Sequence, residues 1–469
     1  MNLQPLPDLG QIGIDHTVHD ESFHRFHHDV SALSHKWSLL PIRNDHIQFS
    51  LVFGSSSYYV APRSHSLTLT GDLNDMNVNR IHPIPNTASH VTLNEFSFAL
   101  GSAVTDRLFN SFPLGLQTLR IRDLLFVGNC CGRALVPLLN RLTATTIYLL
   151  ELTLDSLKFD ESAEVCHSHF DVLPKLTHLV LSRILDVDVD DVRPVVLAPH
   201  QCSRLRQVLL QVYIRNNGGV SLVEGLAHIF PTGLNKLSFA VKNASNANQH
   251  QRGRSIKLEM PLATRELCLS LPLCGALTGQ RLHLAPTLMQ LTLASQNTSI
   301  SVLHEIVARL PNSLQQLVLC SWPLQQSGFL GFLAHWIPPK TQSLSLRHCA
   351  ITHDDIEELV THGWPSTLVH LKLRGNALSK LPPSFPPCLR NLDLTQNPLD
   401  AGAASDWIAV LSTIRFIGLS GTHSAAALAP VLLSKLADRS PMEQITLEVL
   451  ERIPLDVRAQ FKSVSSLEE

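Results

Sequence analysis

Residues 386–399 read PPCLRNLDLTQNPL, residues 365–378 read PSTLVHLKLRGNAL, and residues 338–351 read PPKTQSLSLRHCAI. The three share one phrase: a leading proline, then L-x-x-L-x-L or a close variant, then Asn or Cys three residues beyond the last apolar position. In L-x-L two apolar residues alternate with one that points the other way, which is the period of a strand with one buried face. No second strand lies close enough in sequence for a hairpin, so the phrase predicts parallel strands contributed by successive copies.

Working outward, clean copies of L-x-x-L-x-L stand at 176–181, 288–293, 314–319, 368–373 and 389–394. Looser copies that accept Ile, Val, Phe or Thr stand at 116–121, 205–210, 234–239, 341–346 and 414–419. The second apolar position runs from 67 through 91, 119 and 152 to 371, 392, 417 and 445, which gives fifteen repeats over 378 residues and a mean step of 27. Between strands the spacing turns helical: Ile300, Leu303, Ile306, Val307 and Leu310 fall on one helix face, and Asp354–Asp355 precede Ile356, Leu359 and Val360 as a helix start. Residues 403–411 and 425–436 read the same way. Each repeat is therefore expected as strand, turn, helix and return. One such repeat cannot bury its apolar face alone, so neighbours must stack.

Proline stands three residues before the first apolar position at Pro113, Pro231, Pro311, Pro338, Pro365 and Pro386. Proline cannot continue a helix and biases its predecessor toward extended backbone, so it ends one return and starts the next strand. Asn376 and Asn397, with Cys349 in the equivalent slot, are placed to bond backbone groups that the turn leaves unpaired.

The repeat L-x-x-L-x-L-x-x-(N/C)-x-L, seen in LVHLKLRGNAL and LRNLDLTQNPL, resembles the leucine-rich repeat family. Its period near 27 with intervening helices is most similar to the ribonuclease-inhibitor-like subclass, over roughly residues 60–450. The resemblance implies an α/β solenoid, a curved horseshoe with a parallel inner sheet and helices on the convex side. The domain reading is an N-terminal cap at 1–59, the solenoid at 60–450, and a C-terminal cap and tail at 451–469. In the first of these, Phe23, Phe26, Val30, Leu33 and Trp37 mark one face of a helix over about 21–37 that would cover the open end.

Composition narrows the function. Thirty-seven basic and 39 acidic residues leave a net charge of −2, with no basic excess to draw nucleic acid or an anionic membrane. No run approaches the eighteen or so apolar residues of a membrane-spanning helix. The opening MNLQPLPDLGQIGID lacks a secretory pattern, and nine scattered cysteines include no C-x-x-C pair. A cytoplasmic protein follows as the expectation.

Four motifs suggest chemistry and each has a plainer reading. GNCCG at 128–132 mimics a nucleophile elbow around Cys130, but an elbow needs the sheet of an α/β-hydrolase, and glycine in a tight turn explains the residues. His24, His27 and His28 have helical spacing, yet no Cys partner or H-E-x-x-H accompanies them; a solvated face opposite the Phe stripe suffices. Cys166-His167-Ser168-His169 is weaker still. Asp186, Asp188, Asp190 and Asp191 open like a calcium loop, but its sixth position is Asp191 rather than Gly and its twelfth is Leu197 rather than Glu. No P-loop or G-x-G-x-x-G occurs. No catalytic residue, metal site or cofactor is expected.

The repeat itself then supplies the surface. Third, fifth, seventh and eighth motif positions point out of the inner sheet, and most are small or neutral. Charge gathers at Arg120, Arg122 and Asp123, and again at Arg347, His348, His370, Lys372 and Arg374, flanked by Asn391 and Asp393. Neighbours on adjacent strands lie roughly 5–8 Å apart at Cβ, so these cations repel unless something anionic joins them. The expectation is a non-enzymatic scaffold whose concave face binds a protein partner carrying an acidic or phosphorylated segment. Two alternatives share the architecture: a regulator of a small GTPase resembling the Ran GTPase-activating family, and a substrate-recruiting subunit of a ubiquitin ligase. For the latter, residues 1–60 show no F-box-like three-helix pattern.

Overall fold

The computed structural model describes residues 48–53, 66–71, 88–94, 97–99, 110, 112–122, 125–127, 149–156, 158–159, 175–187, 204–214, 231–243, 258–270, 282–294, 299–325, 327–382, 384–399, 414–419, 446–448 and 463–465. The chain forms two compact units: unit 1 is Met1–Leu234 with Val241–Asn248, and unit 2 is Asn235–Ala240 with Gln249–Glu469.

Unit 1 contains β1 (Gln48–Phe53), β2 (Ser66–Gly71), β3 (His90–Asn94), β4 (Ser97–Ala99) and β5 (Thr118–Arg122). It continues with β6 (Leu125–Val127), β7 (Glu151–Asp155), β8 (Lys158–Phe159), β9 (His178–Val187) and β10 (Gln207–Ile214). One parallel ladder runs β1-β2-β3-β5-β7-β9-β10. The short strands β4, β6 and β8 form a second parallel row that meets the far end of β9 at Leu185. This second row was not legible as strands, since two or three residues carry no readable period.

Unit 2 begins with β11 (Lys236–Asn243), of which it holds the residues up to Ala240, and contains β12 (Leu258–Glu259), β13 (Glu266–Ser270), β14 (Leu282–His283), β15 (Gln290–Ala294) and β16 (Gln316–Cys320). Beyond them come β17 (Ser343–Arg347), β18 (His370–Lys372), β19 (Asn391–Asp393), β20 (Phe416–Gly418), β21 (Thr446–Glu448) and β22 (Ser463–Ser465). Its ladder is parallel from β11 through β13, β15, β16 and each later strand to β22, with β12 and β14 paired apart. Parallel strands in sequence order, each one repeat from the next, make each unit a leucine-rich-repeat solenoid.

The core follows the phrase. Every first, fourth and sixth motif residue of the described repeats from Ala88 to Leu419 is 4% exposed or less. The prolines do what their spacing predicts: the N–H of the first motif residue donates to the proline carbonyl at Pro113, Pro231, Pro311, Pro338, Pro365 and Pro386, at 3.0–3.1 Å. Pro261 does the same for Thr264 at 3.0 Å. A hydroxyl row runs beside these turns. Thr367 Oγ1 donates to the carbonyls of Pro339 and Thr341, and Ser313 Oγ to those of Pro286 and Leu288.

Past the strand, the eighth motif residue takes left-handed backbone: φ is 56° at Ser156, 52° at Arg183, 58° at Ser321, 53° at His348, 69° at Gly375 and 59° at Gln396. Gly or Asn is the usual choice there. Here an inter-repeat bond holds the turn. The N–H of Ser321 donates to Arg347 O at 2.8 Å, that of His348 to Arg374 O at 2.9 Å and that of Gly375 to Thr395 O at 2.8 Å.

Three helices are described over their full length, in consecutive returns of unit 2: α1 (Ile300–Val307), α2 (Phe329–Trp336) and α3 (His353–His362). Ser299 caps α1, and Thr352 with Asp355 forms a capping box on α3, so Asp355 is the working member of the acidic pair. The expectation of a helix in each repeat fails between β18 and β19, where no described residue from 373 to 390 is helical. Pro382, Pro383, Pro386 and Pro387 in that short return account for it, since each removes a backbone donor. The helices expected at 21–37, 403–411 and 425–436 lie outside the described residues.

One register differs by two. Leu447, not Ile445, stands opposite Ile417, so Glu448 rather than Thr446 takes the fifth position. Ile445, Leu447 and Val449 share a parity, and a shift of two leaves every side chain on its own face; alternation alone does not distinguish them. The ladders also reach beyond 60–450, with β1 inside 1–59 and β22 inside 451–469.

Candidate functional site

The larger group of predicted residues comes together on three adjacent strands of unit 2. In the fifth motif position, register aligns Val318, Ser345, Lys372, Asp393 and Gly418. In the third it aligns Ser343, His370, Asn391 and Phe416. Arg347 and Arg374 extend the same face, the His348 N–H bond to Arg374 O fixing their alignment. Leu344, Leu346, Leu371 and Leu373 point the other way and are 0% exposed, which locks the polar residues onto one face.

Lys372 lies directly across from Asp393, yet among the described residues it makes no ion pair within 4.0 Å. Asp393 is turned toward its own loop: its Oδ1 accepts the Thr395 N–H at 3.1 Å. Gly418 makes room for this, since a Cβ there would stand 3.0 Å from Asp393 Oδ1 and 2.9 Å from Thr395 Oγ1. Arg374 Nε donates a long bond of 3.4 Å to Gln396 Oε1. His348 is exposed beyond the strand, and Gly375 is required beneath it because a Cβ would overlap its ring.

Burial, and then the charge of Lys372, hold the His370 imidazole below its ordinary 6.5. Burial is the larger of the two causes, and Lys372 is the one neighbouring cation that adds to it. Three permanent cations, Arg347, Lys372 and Arg374, against the one carboxylate of Asp393 leave a local charge of +2. Two further polar atoms stand out: Ser345 Oγ and Arg347 Nε are buried and have no hydrogen-bond partner. Ser345 did not figure among the predicted site residues. Its one sequence signal is a small hydroxyl residue in the slot between Val318 and Lys372.

Arg120 and Arg122 belong to unit 1, on β5. Register sets Arg120 between Thr92 and Thr153, and Arg122 between Asn94 and Asp155. Asp155 is already gripped by Arg183, whose Nε and Nη2 donate to its two carboxylate oxygens at 3.0 and 2.7 Å. Those bonds, followed against the cost of burial by a bond from Ser182 and the charges of Arg183 and Arg122, hold its carboxyl below the ordinary 3.8. A depressed carboxylate stabilises the fold above the unfolded value and loses that contribution as pH falls through the folded one. Asp155→Asn should therefore destabilise unit 1 by about 0.5–1 kcal/mol at pH 7, given the exposed Arg183. The deficit should shrink in urea melts as pH falls from 7 through the ordinary carboxylate range and below it; a deficit that stays constant down to the acid limit of folding would exclude the ion pair as its source. Asp123 lies outside the described residues.

The other motifs contribute nothing that can be placed. GNCCG, the N-terminal histidines, the 166–169 run and Asp188 to Asp191 lie outside the described residues. Among the described ones, no three His, Cys, Asp or Glu side chains cluster as metal ligands. No helix among them is long and apolar enough to cross a membrane. Burial pushes the Cys349 thiol up to about 12, which makes it inert.

No protein-family model matches the chain. No curated protein matches it in sequence. Among solved structures, a leucine-rich-repeat protein of Leptospira interrogans is similar at 15% identity and a TM-score of 0.32, over 76% of this chain and 90% of that one. At that level the fold rests on the strand ladders themselves.

Proposed function

We propose that this chain is a non-enzymatic protein-interaction module that holds an anionic segment of its partner on the sheet face around Lys372. The observation that carries the reading is the un-neutralised charge: Lys372 lacks an ion pair among the described residues although a carboxylate stands opposite, and its neighbours Arg347, His370 and Arg374 add to the same sign. Repelling charges on one face lower stability unless a ligand offsets them. The face is pre-formed by backbone ladders, so binding needs little rearrangement. Arg347 and Arg374 engage oxyanions through planar forks, while Lys372 acts as a compact point charge.

The test is a Lys372→Glu, Arg374→Glu double variant. Both side chains lie on the polar face, so the variant should melt like the wild type. It should lose the main partner in a pull-down, and the wild-type interaction should weaken with salt, because exposed charges are screened over about 8–10 Å. Retention of every wild-type partner at equal yield would remove this face from consideration and direct attention to Arg120 and Arg122. A captured small GTPase or ligase subunit would select one of the two narrower alternatives.

A further inference from the structure

We infer that Ser345, Arg347 and Lys372 form a subsite for one phosphate monoester, so that the anionic segment is a phosphorylated peptide. This rests on the preceding reading and specifies its ligand. Ser345 is 1% exposed and its hydroxyl has no partner; Arg347 Nε is buried and equally unpartnered. Buried polar groups are nearly always bonded, so two unsatisfied donors on one strand face point to an absent acceptor. Ser345 and Arg347 are two residues apart on the same side of β17, and Ser345 is in register with Lys372 on β18. Strands about 4.8 Å apart with side chains about 6.7 Å apart along each place the three within reach of one tetrahedral group.

The chemistry at these atoms is donor-rich: a buried guanidinium N–H, an ammonium and a hydroxyl with its proton to give. A single carboxylate offers two oxygens and one charge. A phosphate monoester offers three oxygens and about −1.5 to −2 charge at pH 7, which matches the local +2. An apolar residue would fill the Ser345 slot without leaving a donor orphaned, as Val318 does on the next strand. The hydroxyl is therefore a cost to the free protein that a bound oxyanion removes.

The experiment titrates the full-length chain with inorganic phosphate and with acetate at constant ionic strength, following 31P line broadening. Phosphate should bind saturably and acetate should not compete. Ser345→Ala should weaken phosphate about tenfold, the worth of one hydrogen bond to a charged acceptor, and Ser345→Thr should restore it. Ser345→Ala should also melt at or above the wild-type temperature, since it removes an orphaned donor, and a merely structural serine would behave in the opposite way. Unchanged phosphate affinity in Ser345→Ala, or equal competition by acetate, overturns the subsite. If that happens while the Lys372→Glu, Arg374→Glu variant still loses its partner, the binding face stands and only this inference falls. Phosphatase treatment of the partner separates the two sources of phosphate: retention should disappear, and unaltered retention would assign the subsite to free phosphate and overturn the peptide.

Discussion

Leu371→Asp should abolish the cooperative unfolding transition of unit 2. Leu371 is 0% exposed and stands in register between Leu344 on β17 and Leu392 on β19, both also 0% exposed. Losing its burial costs about 2–3 kcal/mol. A carboxylate in its place would stand in the buried core between two leucines, and an unpaired buried charge costs several kcal/mol more. The sum, upward of about 5 kcal/mol, rivals the whole stability of an ordinary domain. In a solenoid each repeat contacts only its neighbours, so the break at β18 removes support from β17 and β19 together. Hydrogen exchange should lose protection across residues 338–399, whereas Lys372→Ala, one residue along and on the opposite face, should change stability by less than about 0.5 kcal/mol. A Leu371→Asp melt that superimposes on the wild type would mean that the assigned register is wrong.

That register was legible because the phrase overdetermines it. Leu368, Leu371 and Leu373 alternate, Pro365 fixes where the strand begins, and Asn376 fixes where it ends. Where the markers are incomplete the spelling is ambiguous: residues 445–449 alternate correctly but lack a closing Asn, and the first motif position of the observed register is the polar Gln444, so only Pro441, three residues before it, distinguishes the true register from one shifted by two. The helix α2 agrees with the helix expected in each repeat, but its bounds were not legible, for a different reason. FLGFLAHW spaces Phe329, Phe332, Leu333 and Trp336 at helical intervals, but Leu330 and Ala334 are apolar too, which leaves little polar face to contrast with them, and its N-cap Gly328 bonds through no side chain. Left-handed backbone at His348 was equally hidden, because nothing in a histidine announces positive φ; the inter-repeat bond to Arg374 O imposes it. The candidate site divides along the same line. A strand period of two and the known step between repeats were enough to bring Arg347, His370, Lys372 and Arg374 together. Ser345 was invisible as a site residue, because what marks it is an unpartnered atom, and partners belong to packing rather than to spelling.

Asn376→Ala should cost unit 2 roughly 3–5 kcal/mol, and Cys349→Ala, one repeat earlier in the same motif position, about 1–2 kcal/mol. The ninth position performs one task with three kinds of residue: its side chain donates to the carbonyl of the sixth position in the preceding repeat. Trp322 Nε1 reaches Leu293 O at 3.0 Å, Cys349 Sγ reaches Leu319 O at 3.5 Å, Asn376 Nδ2 reaches Leu346 O at 2.7 Å and Asn397 Nδ2 reaches Leu373 O at 2.9 Å. A thiol is a weak donor, so its loss is small and mostly a matter of packing. The amide does more. Asn376 Oδ1 also accepts the N–H groups of Cys349 and Ile351, at 3.0 and 3.2 Å, and its Nδ2 also donates to Leu373 O at 2.7 Å. Truncation to Ala takes this side-chain bond from Leu346 O and from both N–H groups, while Leu373 O keeps its bond from Asn397. Each buried group left unsatisfied costs about 1–3 kcal/mol before relaxation. Asn376 thus satisfies two N–H donors through a full amide oxygen as well as the carbonyl, whereas Cys349 meets its backbone neighbours only through the weaker bonds of a sulfur. Urea titrations of the two variants should therefore separate by a factor of about two or more in lost free energy, at equal slope. Equal losses would show that the amide bonds of Asn376 add nothing beyond the volume it fills.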